Sequence, residues 1–244
     1  MTFADLHHGP TPFLLPNAWD VASALLLADM GFPAIGTTSL GVTAAAGVPD
    51  GVNDSPELTM AFVRALSGTL SIPLTVDLEG GYSDDPAAVA ALAVELVDLG
   101  VAGVNLEDGH RTADEHARII DAVATAAPDL FINARTDTYW LGDGGVDQTV
   151  RRLVAYRDAG ASGVFVPGLT EPDDVATVVA AVHLPLNILW QKDIPAGVAR
   201  VSTGSALYRH ALATALTVAG CARDGCQPTT TAIDYGDLQA TLTR

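Results

Sequence analysis

Asp98-Leu99-Gly100-Val101-Ala102-Gly103-Val104 holds a helix end, a tight turn and the start of a buried strand within one short stretch. The glycine stands just past the helix, where only a left-handed backbone closes the last turn cheaply. The same event recurs at Asp29-Met30-Gly31, followed by Phe32-Pro33-Ala34-Ile35, and at Asp158-Ala159-Gly160, followed by Ala161-Ser162-Gly163-Val164. Ala196-Gly197-Val198-Ala199-Arg200-Val201 is a weaker copy. A repeated order of helix, glycine and strand means repeated βα units.

The segments between these glycines carry the helices. Asp85-Pro86 reads as an N-cap with proline at the first helical position, and Val89, Leu92, Leu96 and Leu99 follow at helical spacing. Ser55-Pro56 opens another helix in the same way, and Val146 to Ala159 sets Val150, Leu153 and Val154 on one face. The strands are short apolar runs without alternation, as in parallel sheets covered on both faces. They are Phe13–Leu15, Ala34–Thr37, Leu74–Asp77, Gly103–Leu106, Phe131–Ala134, Gly163–Val166, Leu186–Leu189 and Arg200–Ser202. Eight regular units with no linker predict one (β/α)8 TIM barrel over residues 1–244, with 205–244 as the last barrel helix and a C-terminal tail. A doubly wound open sheet is the alternative. The stretch between Leu189 and Arg200 is too short for a full helix. Gly225 to Thr231 is rich in turn residues, so the tail beyond Thr231 packs on a neighbour or frays.

Composition limits the partners. The 244 residues hold 12 Lys+Arg against 29 Asp+Glu, a net charge of −17, and 49% are apolar. Such a chain can build a core, but Lys192 is its only lysine. It lacks the clustered cations that nucleic acid or an anionic membrane surface requires. No apolar run approaches the roughly 20 residues of a membrane helix, and Met1-Thr2-Phe3-Ala4-Asp5 lacks the basic and apolar parts of a leader. Cys221 and Cys226 make no disulfide framework, and no second pair nearby completes a zinc site. A cytoplasmic location with reduced thiols is expected.

In a βα barrel the chemistry sits at the C-terminal ends of the strands. The third predicted strand ends in Asp77-Leu78-Glu79-Gly80-Gly81-Tyr82, the fourth in Glu107-Asp108 and the fifth in Arg135-Thr136-Asp137. Asp77, Glu79 and Glu107 thus converge on one face of the barrel. Crowded carboxylates raise one another's pKa unless a cation sits among them. An all-oxygen set without His or Cys suits a hard ion, Mg2+ or Mn2+. Each acid also precedes a helix, so N-capping explains any one of them alone; three on neighbouring strands, with an arginine on the next, favour a site. His110, beside Glu107-Asp108, is a candidate proton donor near neutral pH or an exposed residue at the start of a helix. Trp19 either covers the pocket or packs in the wall.

The ordered motifs resemble the isocitrate lyase/phosphoenolpyruvate mutase superfamily. They are Leu15-Pro16-Asn17-Ala18-Trp19-Asp20, Gly36-Thr37-Thr38-Ser39-Leu40-Gly41, Gly47-Val48-Pro49-Asp50-Gly51, Asp77 to Tyr82, Asn105-Leu106-Glu107-Asp108 and Asn133-Ala134-Arg135-Thr136-Asp137. The match runs from about Leu14 to about Tyr208 and implies a barrel of the phosphoenolpyruvate/pyruvate-domain type that binds Mg2+ and a 2-oxo acid. The resemblance makes Asp77 and Glu79 metal ligands, in place of the family's Asp-x-Asp pair. It sets Asp50 and Glu107 in the outer metal shell and gives Arg135 the substrate carboxylate or phosphonate. Thr38, Ser39 and Leu40 clasp the carboxylate, and Asn187 lies near the substrate. A homodimer or homotetramer, with C-terminal helices exchanged, is also implied.

The Lys-Lys-Cys-Gly-His-like loop of the family's lyases is missing. Asp108-Gly109-His110-Arg111-Thr112 runs almost directly into a helix near Asp114, which places the chain on the mutase-like branch. The functional expectation is a Mg2+-dependent enzyme that cleaves a C–C bond, as lyase or decarboxylase, in a small 2-oxo acid or 2-hydroxy dicarboxylate through a pyruvate enolate. A phosphonopyruvate-type mutase or hydrolase is the runner-up, and a non-catalytic 2-oxo acid-binding paralogue is the rival from outside the enzymes.

Overall fold

The computed structural model describes residues 2–51 and 55–243. All strands are parallel and run in the order β1-β9-β8-β7-β6-β5-β4-β3-β2. They are β1 Phe13–Leu15, β2 Asn17–Ala18, β3 Ile35–Thr37, β4 Leu74–Asp77, β5 Gly103–Glu107, β6 Phe131–Arg135, β7 Gly163–Phe165, β8 Leu186–Leu189 and β9 Val198–Ser202. The first predicted strand, Phe13–Leu15, is present, and a second short piece that was not predicted, Asn17–Ala18, follows it; Pro16 between them has no N–H to give to a ladder. β1 pairs with β9, β2 pairs with β3, and Gly36 N–H donates to the Pro16 carbonyl at 2.9 Å. The two halves close an eight-fold barrel, as predicted.

The helices are α1 Val21–Asp29, α2 Ser39–Ala45, α3 Ser55–Leu66, α4 Pro86–Asp98, α5 Ala113–Ala126, α6 Val146–Asp158, α7 Pro172–Val182, α8 Ala206–Asp224 and α9 Tyr235–Leu242. Asp85 caps α4 by accepting from Ala87 N–H at 3.0 Å, and Pro86 stands at its first turn. Thr112 and Glu115 cap α5 reciprocally. Gly31, Gly100 and Gly160 all have positive φ just past their helices, as the repeat requires. Gly197 also has positive φ, but no helix precedes it, and β8 runs to β9 without one. The tail packs within the chain, with α9 lying against α1. No helix among the described residues is long and apolar enough to cross a membrane.

The strands are buried on both faces, as expected, but in β5 and β6 apolar and polar residues alternate. Val104 and Leu106, like Ile132 and Ala134, join the core shared with the helices, which includes Leu96, Ile119, Ile120 and Leu153. Asn105 and Asn133 point to the opposite side, where the Asn133 amide donates to Asn105 Oδ1 at 2.8 Å. Burial of each Val, Ile or Leu in this shell is worth about 1.5–3 kcal/mol. The barrel interior is apolar only at its lower end. There Phe3, Leu15, Ala34 and Phe131 form a separate cluster. Above it the interior is polar, and that polar column leads into the site.

Candidate active site

A cavity of about 280 Å3 opens at the C-terminal ends of the strands. β4, β5 and β6 supply its charged half. Asp77 and Arg135 are the last residues of β4 and β6, and Glu107 ends β5. The register sets Glu107 directly beside Arg135, and the two form an ion pair at 2.8 Å. Arg135 Nε donates to Asp137 Oδ1 at 2.6 Å, and its guanidinium lies 5.6 Å from the centre of the Phe165 ring. The arginine is thus clamped between two carboxylates and an aromatic face.

The acids are held by local backbone geometry. Ser39, at the start of α2, donates its N–H to Asp77 Oδ2 at 3.2 Å, and Asp77 N–H donates to Thr37 Oγ1 at 2.9 Å. Glu79 and Tyr82 both take positive φ, 51° and 59°, with Gly81 at 84° between them. Left-handed backbone at two residues with side chains stores strain, and strained loops of this kind concentrate at functional sites. Glu107 N–H donates to the Glu79 carbonyl at 2.9 Å and locks this loop to β5.

Burial, foremost, pushes the Glu107 carboxyl up to about 8, with Asp77, Asp137 and Glu79 adding repulsion and Arg135 opposing it. Burial also raises Asp50, against a hydrogen bond from Ser39. Below the floor stands a second cation. Arg200 is fully buried; its Nε donates to Ser202 Oγ and its Nη2 to Asn105 Oδ1, each at 3.2 Å. Its Nη1 has no hydrogen-bond partner among the described residues, and burial lowers the guanidinium to about 9.

The structure brings Thr38, Ser39, Leu40, Asp50, Asp77, Glu79, Glu107 and Arg135 to one cavity wall. Three expected residues stand elsewhere. His110 is exposed and lines a separate groove with Asp84, Arg111 and Glu115. Trp19 packs edge-on against Tyr208 of α8. Asn187 is buried below the floor, its Oδ1 accepting from Ser202 Oγ at 3.0 Å. Asp108 faces away from the cavity and accepts from Thr136, Arg152 and Tyr156. The sequence reading missed the apolar half of the cavity, to which Phe165, Pro167, Leu189, Trp140 and Leu141 contribute. Its signal was Trp140-Leu141 in the turn after the strand that carries Arg135.

The donor set suits a hard cation. Asp50, Asp77, Glu79, Glu107 and Asp137 line the cavity against one arginine, so a divalent ion would relieve an excess of negative charge. Among the described residues no three His, Cys, Asp or Glu side chains are grouped to hold a metal by themselves. Glu107 is held in an ion pair with Arg135. Mg2+ accommodates such a site, because it commonly takes one or two carboxylates and fills the rest of its shell with water and substrate.

Comparison with known proteins agrees with the barrel and its motifs. The family model for phosphoenolpyruvate phosphomutase matches residues 3–221. An uncharacterized protein of Mycobacterium tuberculosis (strain ATCC 25618 / H37Rv) is 41% identical over 258 residues, covering 99% of this chain and 96% of that protein. The 2-methylisocitrate lyase of Bacillus subtilis (strain 168) is 31% identical over 198 residues, covering 75% of this chain and 64% of the lyase. The crystal structure of a Burkholderia cenocepacia J2315 protein superposes with a TM-score of 0.88 at 34% identity, over 100% of this chain and 95% of that one. The chain belongs to the phosphoenolpyruvate phosphomutase family, within the phosphoenolpyruvate mutase/isocitrate lyase superfamily of enzymes.

Proposed function

We propose that the chain is a Mg2+-dependent lyase that cleaves a C–C bond in a small 2-oxo acid or 2-hydroxy dicarboxylate carrying an apolar substituent. The observation that supports this most is the divided cavity, with a clamped Arg135 among carboxylates on one side and Phe165, Leu189 and Trp140 on the other. Arg135 binds a substrate carboxylate; its ion pairs with Glu107 and Asp137 fix its plane beforehand, which lowers the ordering cost of binding. Ser39 and Leu40, at the start of α2, orient the second anionic end. Asp77 and Glu79 would hold the metal, with Glu107 and Asp50 as neighbouring acids. When bound, a hard divalent cation supplies Lewis-acid charge to the oxo and carboxylate oxygens of the substrate. Glu107, paired with Arg135 at the end of β5, holds the guanidinium in place next to the acids that would carry the metal. The apolar wall excludes water from an enolate.

One arginine in a ring of acids suits one or two carboxylates and disfavours three. The substrate is therefore expected to be smaller or less charged than a tricarboxylate. The test is pyruvate release, with and without Mg2+, from oxaloacetate, alkyl-substituted malates, methylisocitrate and phosphonopyruvate, with oxalate in a thermal-shift assay as an enolate mimic. Metal-dependent release from a substituted dicarboxylate, lost in Asp77→Ala and Arg135→Ala, is the expected result. Turnover of phosphonopyruvate alone would move the chain to P–C chemistry. Oxalate stabilisation without any turnover would favour the non-catalytic paralogue. No response to oxalate would sink the site itself.

A further inference from the structure

α8 ends in a turn that brings the chain's two cysteines together. Gly225 takes a left-handed backbone, φ 72°, just past the helix. Cys226 N–H then donates to the Cys221 carbonyl at 2.9 Å. This bond spans the helix end in the Schellman manner, in which the residue after the glycine meets the side chain one turn back. A main-chain contact of that kind gives the closeness that a disulfide needs, with its Cα atoms about 4.4–6.8 Å apart. The neighbouring Cys226 thiol also holds the Cys221 thiol above its ordinary range. Both are free thiols; Cys226 is exposed and Cys221 half-buried behind it. No other cysteine exists in the chain, so only one intramolecular pairing is open to it.

We infer that Cys221 and Cys226 form a two-electron redox site, closed to a disulfide by hydrogen peroxide. Cys226, the accessible member, attacks as a thiolate. Its sulfur bonds to one peroxide oxygen, the O–O bond breaks, and the leaving oxygen takes a proton from solvent as water. The resulting sulfenic acid faces Cys221. The Cys221 sulfur forms the S–S bond, the S–O bond breaks, and the departing hydroxide takes the Cys221 proton as a second water. The two thiols lose two electrons and the peroxide is reduced to two waters. The bond would staple the end of α8 to the segment 226–234 that leads to α9 on α1. It lies at the far end of α8 from Gly204 and Ser205, which line the cavity, so it does not depend on the function proposed above.

The full chain, treated with about one equivalent of hydrogen peroxide, alkylated and digested with trypsin, tests this. Arg209 and Arg223 place the cysteines in separate peptides, 210–223 and 224–244. The expected product is the two peptides joined, lighter than their sum by two hydrogens, from a chain that stays unlinked to others on a non-reducing gel and is restored by dithiothreitol. Cys221→Ser is expected to stop at a sulfenic acid that dimedone traps, and Cys226→Ser to keep its remaining thiol reduced. Sulfinic or sulfonic acids on unlinked peptides, cross-linked chains, or thiols that survive peroxide would each overturn the assignment. Equal peroxide reactivity in Cys226→Ser would overturn the order of attack.

Discussion

Two buried charges, Asp108 and Arg200, are treated in opposite ways. Asp108 is almost fully buried and saturated: Thr136 and Tyr156 donate to Oδ2 at 2.8 and 2.7 Å, Arg152 at 3.0 Å, and Asp137 N–H to Oδ1 at 2.9 Å. Removing its charge leaves Arg152 and two hydroxyls facing an amide. Asp108→Asn is therefore expected to cost about 3 kcal/mol in urea unfolding, the scale of a broken buried pair; a loss below about 0.5 kcal/mol would refute this account. Arg200 is buried without a carboxylate partner among the described residues. Replacing such a charge by an apolar chain of similar length tends to be neutral or better. Arg200→Met should keep stability within about 1 kcal/mol of the parent, yet weaken oxalate binding about tenfold by removing positive potential worth on the order of 1–2 kcal/mol below the acids. Unchanged oxalate affinity would mean that Arg200 only fills space. Asp77, Glu79, Glu107 and Arg135 were legible because strand ends in a barrel converge. Asp108 and Arg200 were not. One residue beyond Glu107 the chain turns its side chain to the other face, and an arginine in an apolar strand gives no sign that it points into the barrel.

At the scale of elements, the helix–glycine–strand repeat was legible because each glycine must take a backbone that other residues resist. The lower plug of the barrel was not. Nothing in the polar run His7-His8 marks it as core, yet Ala4–His8 form a 3-10 helix that drives His7 into the barrel's lower end. The His7 ring stacks on Phe131 at 4.0 Å between centroids, 12° from parallel, with Phe3 and Phe13 edge-on. Burial, with Arg200 adding repulsion, lowers its pKa to about 3. The unfolded chain takes up the proton near pH 6.5 while the folded one refuses it, so the stability is complete above pH 6.5 and falls as pH drops below it. At pH 5 the loss from His7 is about 2 kcal/mol. His116, buried under α5 and lowered to about 4, adds a loss of the same sign. His7→Phe can keep the aromatic stack without the titration. Urea unfolding at pH 7 and pH 5 should show a drop about 2 kcal/mol smaller in His7→Phe than in the parent. Equal drops would place the acid sensitivity elsewhere, with His116 next in line.

For the whole molecule, closure of the barrel followed from eight units without a break, but nothing in the sequence said which surface stays uncovered. The structure shows it on α8. Leu212 is 49% exposed and Leu216 74%, and the two stand four residues apart on one stripe of the helix. Ile233 and Tyr235, in the tail, are exposed as well. A chain with net charge −17 repels its own copies at long range. An apolar stripe on an otherwise acidic molecule therefore points to a self-complementary interface, where burial of aliphatic side chains outweighs the repulsion. We propose a homodimer or homotetramer built on α8. Sedimentation at micromolar concentration is expected to give a dimer or larger, more so as salt screens the like charges. Leu216→Asp places a carboxylate in the middle of that stripe without touching the core, so it should yield a monomer with the parent's far-UV circular dichroism, unfolding at a lower temperature because the association is lost. A parent chain that sediments as a monomer, or a Leu216→Asp variant that still associates, would show that α8 is not the face that joins the copies.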